Sequence, residues 1–185
     1  MKRVKNIGLF ILAVLFANAS FAQMEKTVIV GGADMYPSKN IIQNAVNSKD
    51  HTTLVAAVKA AELVETLSGA GPFTVFAPVN SAFDMLPKET VETLLMPENK
   101  AMLSGILTYH VVSGSLGSKD LMNLVKDGKG TATLNTVAGG KLFVTRKGNK
   151  LMIKDEKGGL ALLTTRDVYQ SNGVIHVINK VLLPK

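Results

Sequence analysis

The 185-residue chain has no cysteine and no tryptophan, and aromatic residues make up only 5% of it. Without cysteine there is no disulfide scaffold, no thiolate nucleophile and no lipid anchor of the kind attached to a cysteine beside a cleavage site. Histidine is scarce too. The three, His51, His110 and His176, include no pair at the i, i+3 or i, i+4 spacing of a local metal site. No glycine pattern opens a helix as a dinucleotide or phosphate loop does, and Ser115 lacks the flanking glycines of a nucleophile elbow. No enzyme, cofactor or metal is expected. With 46% apolar and 19% charged residues, disordered and collagen-like classes are excluded as well.

What is present begins at the N-terminus. Lys2, Arg3 and Lys5 precede an apolar run from Ile7 to Ala17, followed by Ser20-Phe21-Ala22 with small residues at the two cleavage positions. This is the pattern of a secretory signal peptide, with an uncleaved anchor as the other reading; the run falls short of the about 20 apolar residues that span a bilayer, and no second such run follows. Residues 1–22 are therefore expected to be a signal peptide and residues 23–185 a single domain, exported to the periplasm, outer surface or medium, monomeric, with no transmembrane anchor. Cleavage removes three basic and no acidic residues, so the charge falls from +7 to +4. That is too little to argue for a nucleic-acid partner.

Helices are expected in the first half. Leu54, Val58 and Ala61 follow the polar group Ser48, Asp50 and Thr52, and Leu63, Val64 and Leu67 continue the apolar face until Gly69, Gly71 and Pro72 end it. Phe73–Ala77 reads as a buried strand, with Asn80 or Ser81 capping a short helix after it. Lys88–Leu95 and Glu98–Leu107 read as helices, Tyr109–Val112 as a strand, and Ser118 as the cap of one more helix. Beyond Gly130 the sequence turns to strands: 131–137, 141–146, 151–155, 160–168 and 174–183, separated by glycine-rich turns. Asn172-Gly173 suggests a type I′ turn. The last strand is apolar on both faces and belongs inside the sheet. The fold class expected is α+β, a β-sandwich or wedge with short helices packed at one end.

His110 and His176 lie in apolar strand patterns, where an imidazole bonded to backbone is the plain reading; His51, in a polar stretch, is expected to be exposed. Residues 126–157 carry eight basic side chains against three acids. Lys141, Arg146, Lys147, Lys150 and Lys154, on hairpins, form a candidate patch for an acidic polysaccharide or other polyanion. The alternative is that these lysines serve solubility and block edge pairing.

Three segments together resemble a known family. Thr74–Phe83, reading Thr-Val-Phe-Ala-Pro-Val-Asn-Ser-Ala-Phe, the dipeptide Tyr109-His110, and Asn172–Pro184, reading Asn-Gly-Val-Ile-His-Val-Ile-Asn-Lys-Val-Leu-Leu-Pro, resemble the signature boxes of the fasciclin domain in order and spacing. Val79 departs from the usual Thr or Ser, and Asn179 from a frequent Asp. The resemblance implies a secreted, non-enzymatic adhesion or matrix-association domain that binds a cell-surface or matrix protein. It also implies two contact sites: Asp167-Val168 before the last box, and Tyr109-His110 with its aliphatic neighbours Leu107, Val111 and Val112.

Overall fold

The computed structural model describes residues 25–185. The expected signal peptide, residues 1–22, lies outside the described residues. The chain opens with a hairpin of β1 (Val28–Val30) and β2 (Ala33–Met35), then α1 (Ile41–Ala45), a 3-10 turn at Lys49–His51, α2 (Thr52–Ala60) and α3 (Val64–Ser68). Strand β3 (Phe73–Pro78) leads to α4 (Asn80–Phe83), α5 (Lys88–Leu94), a second 3-10 turn at Pro97–Asn99 and α6 (Lys100–Tyr109). Then follow β4 (Val111–Ser113), α7 (Ser118–Asp127), β5 (Thr131–Asn135), β6 (Lys141–Lys147), β7 (Lys150–Lys154), β8 (Leu160–Gln170) and β9 (Gly173–Ile178).

Seven strands form one sheet in the order β4-β3-β9-β8-β7-β6-β5. All neighbours are antiparallel except β3 and β9, which run parallel from Phe73↔Gly173 to Pro78↔Ile178. The last strand is thus central, as its two apolar faces require, and all six of its residues are buried. Its partner comes from the first half of the chain, a pairing that local periodicity does not reveal. The sheet curls until its ends meet: Val112 bridges Thr136, and the Val137 amide donates to the Val111 carbonyl at 2.8 Å. Near-closure leaves little open edge for unwanted strand pairing. The α+β class holds, with the sandwich drawn into a curled wedge.

Two cores lie on the two faces of the β3–β9 pair. Phe76 and Ile178 point inward with Leu142, Val144, Leu151, Ile153 and Ala161 from the hairpins, and α7 adds Leu121 and Val125. Val75, Ala77, Ile175 and Val177 point the other way, against α1, α2, α3 and α6 through Ile41, Val58, Leu67, Leu103 and Leu107. Strand β8 serves both. Its register slips between Leu163 and Thr165 and again between Thr165 and Val168, so Leu163 packs in the first core and Val168 in the second.

Several local expectations are corrected. The helix read from Ser48 to Leu67 is two, because Glu62 adopts a φ of 55° and breaks the ladder between α2 and α3. Tyr109 and His110 are not in a strand: Tyr109 ends α6 and His110 is its C-cap. Asn80 does not cap its own helix. Its Oδ1 accepts from the Thr53 amide at 3.0 Å and its Nδ2 donates to the Lys49 carbonyl at 2.8 Å, so it caps α2 across space. Asn172 keeps a negative φ, so the β8–β9 turn is not type I′. Its side chain is committed instead to the helical layer, accepting from the Ile41 amide and donating to the Leu67 and Gly69 carbonyls. Gly173 is required by close approach: a Cβ there would stand 2.1 Å from the Phe73 carbonyl oxygen.

Candidate interaction surfaces and the buried histidines

The Tyr109-His110 dipeptide is fixed inside. Tyr109 is wholly buried, its hydroxyl donating to the Lys141 carbonyl at 2.7 Å and accepting from the Glu156 amide at 3.1 Å. It therefore clamps the ends of β6 and β7 onto α6. His110 bonds through both ring nitrogens: Nδ1 donates to the Ile106 carbonyl at 2.8 Å, and Nε2 accepts from the Leu182 amide at 2.9 Å. That pairing requires the neutral ring, and burial pushes its pKa down to about 4. Asp155, also buried, accepts from the Gly159 and Leu183 amides and ties the β7–β8 turn to the C-terminal segment.

His176 on β9 lies across from Phe76 on β3, and the rings stack with centroids 5.8 Å apart. Its Nε2 donates to the Leu116 carbonyl at 2.8 Å and its Nδ1 accepts from the Asp167 amide at 3.3 Å. Burial lowers its pKa as well. Both histidines are thus buried and internally bonded, and they do not converge with a carboxylate in an open pocket. His51, expected at the surface, is buried too; its Nδ1 meets Ser48 Oγ at 2.9 Å, and burial lowers its pKa.

Asp167 takes a φ of 63° at the β8 bulge, a left-handed conformation that Asp tolerates better than most side chains. Its carboxylate accepts from the Ser118 amide and hydroxyl, and Asp120 accepts from the Gly117 amide. Two acids therefore satisfy the first amides of α7, where a helix N-terminus favours negative charge. Ser118 is not itself the cap. Val168 is 1% exposed in the helical core. Of the four residues expected to meet a partner, Tyr109, His110 and Val168 are therefore enclosed, and Asp167 is half-buried and bonded at home. Alternation along a strand can place a side chain on either face; it took the bulge, absent from any simple period, to turn Val168 into the helical core.

The first and last sequence boxes are the parallel pair β3 and β9, and the Tyr-His dipeptide locks the helix that leads into β4. The family model described as "Fasciclin domain" matches residues 49–184. The chain belongs to the fasciclin family. A Synechocystis protein, sll1483, is 44% identical over 168 residues, covering 91% of this chain and 86% of the relative. The immunogenic protein MPB70 of Mycobacterium bovis is 34% identical over 145 residues, covering 76% of this chain and 66% of its own. The pig transforming growth factor-beta-induced protein ig-h3 is 38% identical over 131 residues, which is 71% of this chain and 17% of that protein. Among solved structures, a FAS1 domain pair from the insect cell adhesion molecule Fasciclin I superposes with a TM-score of 0.71 at 18% identity, covering 86% of this chain and 58% of that one.

In this fasciclin fold the basic candidates divide between two sides. Lys141, Lys147, Lys150 and Lys154 are exposed at outward positions of the β6–β7 hairpin, where Lys147 and Lys150 stand directly opposite each other. Like charges facing across a strand pair repel. Half-buried Phe143, Met152 and Leu162 lie among them on the same outer face, with Met152 and Leu162 in register. Arg146 does not share that face. It lines a groove with Met122, Asn123, Val125, Lys126 and Gly130 beside α7, because its strand parity is that of the inward residues. Of the three acids in the segment, Asp155 is buried, so the outer hairpin surface is more basic than the sequence count implies. The ion pair found among the described residues, Lys100 with Glu62, lies elsewhere. No helix among the described residues is long and apolar enough to cross a membrane.

Proposed function

We propose that this fasciclin domain is an exported, non-enzymatic adhesion or matrix-association module that grips an anionic cell-surface or matrix partner through the outer face of its hairpins. The observation that carries the reading is the surface of Lys141, Lys147, Lys150 and Lys154 set around Phe143, Met152 and Leu162. The lysines supply attraction to acidic groups, and the apolar side chains supply area that gains from contact. Opposed Lys147 and Lys150 add a reason for a partner: an acidic group seated between them relieves their repulsion. Family membership supports the adhesive class. Asp167, Val168, Tyr109 and His110 serve the fold, which is why the contact is assigned to the hairpins.

The test is retention of the purified chain on its own cell envelope and on immobilised dextran sulfate, with salt raised from about 0.01 to about 0.15 M, over which the Debye length shrinks roughly threefold to fourfold. Binding is expected to collapse across that interval, and Lys141→Ser, Lys147→Ser, Lys150→Ser and Lys154→Ser combined are expected to abolish it at low salt. Envelope binding indifferent to both salt and the combined variant would sink the hairpin surface and return attention to an apolar protein contact.

A further inference from the structure

A pocket of about 80 Å³ opens between α1 and α2 and runs down to the helical face of the sheet. Its walls are aliphatic, among them Val30, Met35, Ile41, Val58, Leu67 and Ile175. By the measure in which one water needs roughly 10–15 Å³, this is room for about half a dozen non-hydrogen atoms in a row. Polar groups at its lining are few, and their bonding differs. His110 uses both ring nitrogens within the protein. His51 bonds Ser48 Oγ through Nδ1; its Nε2 has no partner at hydrogen-bonding distance and angle, the one buried side-chain polar atom so placed among the described residues, although the Ala77 backbone stands close enough to the ring to oppose the fall in its pKa. The ring is 4% exposed, so bulk water does not serve it. A buried polar atom without a partner costs free energy that any partner recovers.

We propose that this pocket binds a small aliphatic molecule bearing one neutral oxygen function, a hydroxyl or carbonyl, whose oxygen bonds His51 Nε2 while its hydrocarbon fills the space between α1, α2 and the sheet. Neutrality follows from the surroundings. The cation that reaches the lining, Lys59, is exposed at the rim, so a carboxylate carried to the depth of His51 would enter an aliphatic wall with no countercharge. A hydroxyl suits either tautomer of His51, since it both donates and accepts, and Ser48 Oγ has the same freedom toward Nδ1. Burial, which lowers the His51 pKa, keeps the ring neutral around pH 7. The site lies on the helical side of the sheet, away from the hairpin face, and stands or falls independently of the adhesive reading.

The experiment is a titration of the isotope-labelled chain with 1-hexanol, 2-hexanone, hexane and hexanoate, followed by backbone amide and histidine ring nitrogen resonances. Hexanol and hexanone are expected to shift Val30, Val58 and Leu67, and to move His51 Nε2 more than either ring nitrogen of His110 or His176. His51→Phe is expected to weaken hexanol about tenfold or more and leave hexane unchanged. Should that variant fail to fold, Ser48→Ala, which frees the ring tautomer, is expected to alter the Nε2 response to hexanol while the pocket amides still shift. The proposal is overturned by any of four results: no pocket resonance moves up to the solubility limit; hexane and hexanol bind equally with Nε2 unmoved; Nε2 couples to the Ala77 carbonyl; hexanoate is preferred and the preference disappears with Lys59→Ala.

Discussion

The two faces of the β3–β9 pair are built from the same residue types and packed by different means. On the inner face, side chains from neighbouring strands and α7 close over one another so fully that Leu142, Val144, Leu151 and Ile153 expose nothing. On the outer face the cover is made of short helices, α1 and α3 with five residues each, and the buried aliphatics retain a little exposure around a pocket. Hydrogen-bonded strands hold their side chains at a fixed spacing and register, whereas short helices touch the sheet at a few points each and leave gaps between them. Tightness here is a property of the cover and not of the amino acids.

The sharpest way to break that comparison is to make the same truncation on both faces. Leu142→Ala, in the closed core, is expected to cost about 4 kcal/mol, near the upper part of the range for buried leucines, because its surroundings cannot collapse. Leu67→Ala, on the pocket wall, is expected to cost about 2 kcal/mol, since part of its surface already lacks neighbours. Urea unfolding of both variants against the parent gives the two losses. Equal losses, or a larger one at Leu67, would refute the distinction.

Acid probes the same contrast through the histidines. The unfolded His110 ring takes up a proton at its ordinary value of about 6.5 and the buried ring only near 4, so between these values the unfolded chain binds more protons and stability falls as pH drops. The loss from His110 alone is on the order of 3 kcal/mol, complete below about pH 4. His176 and His51 are lowered in the same direction by burial and add to it. Stability measured across that interval is expected to decline steeply, and His110→Gln, less stable at neutral pH, is expected to decline less steeply by about one proton. An unchanged slope in the variant would mean that His110 does not carry the titration.

The inner core was largely legible from the chain itself. The strands expected over 131–137, 141–146 and 151–155 fall on β5, β6 and β7, which carry Leu134, Leu142, Val144, Leu151 and Ile153 into that core, and the double-faced last strand announced its place inside the sheet. The helical side was less so. The β1–β2 hairpin and α1 are three and five residues long, too brief for a period to emerge, and they supply part of the pocket. The buried place of His51 escaped for the same reason: polar neighbours in sequence say nothing about a ring folded under α2 by tertiary packing. The family resemblance located the boxes that build the fold, but its implied contacts at Tyr109-His110 and Asp167-Val168 fell on residues that hold it together. Box residues were recognisable because packing constrains them, and the same packing hides them from a partner.

The smallest effect lies at Asp167, the residue where β8 passes from one core to the other. Its left-handed φ allows the bulge, and its carboxylate satisfies the first amide of α7, so one side chain links the strand that changes cores to the helix that plugs the inner one. Asp167→Asn keeps the backbone tolerance and one acceptor oxygen but removes the charge facing the helix N-terminus, for an expected loss of about 1 kcal/mol. Amide exchange should then quicken at Ser118 and Leu121 while β9 stays protected, because the strand pairs on both sides of the bulge are untouched. Asp167→Ala removes the acceptor and leaves a residue poorly suited to positive φ, so it should cost more and loosen Val168 as well. If Asp167→Asn left α7 as slow to exchange as before yet weakened binding to the cell envelope, the acid would be a contact after all, and its place between the two cores incidental.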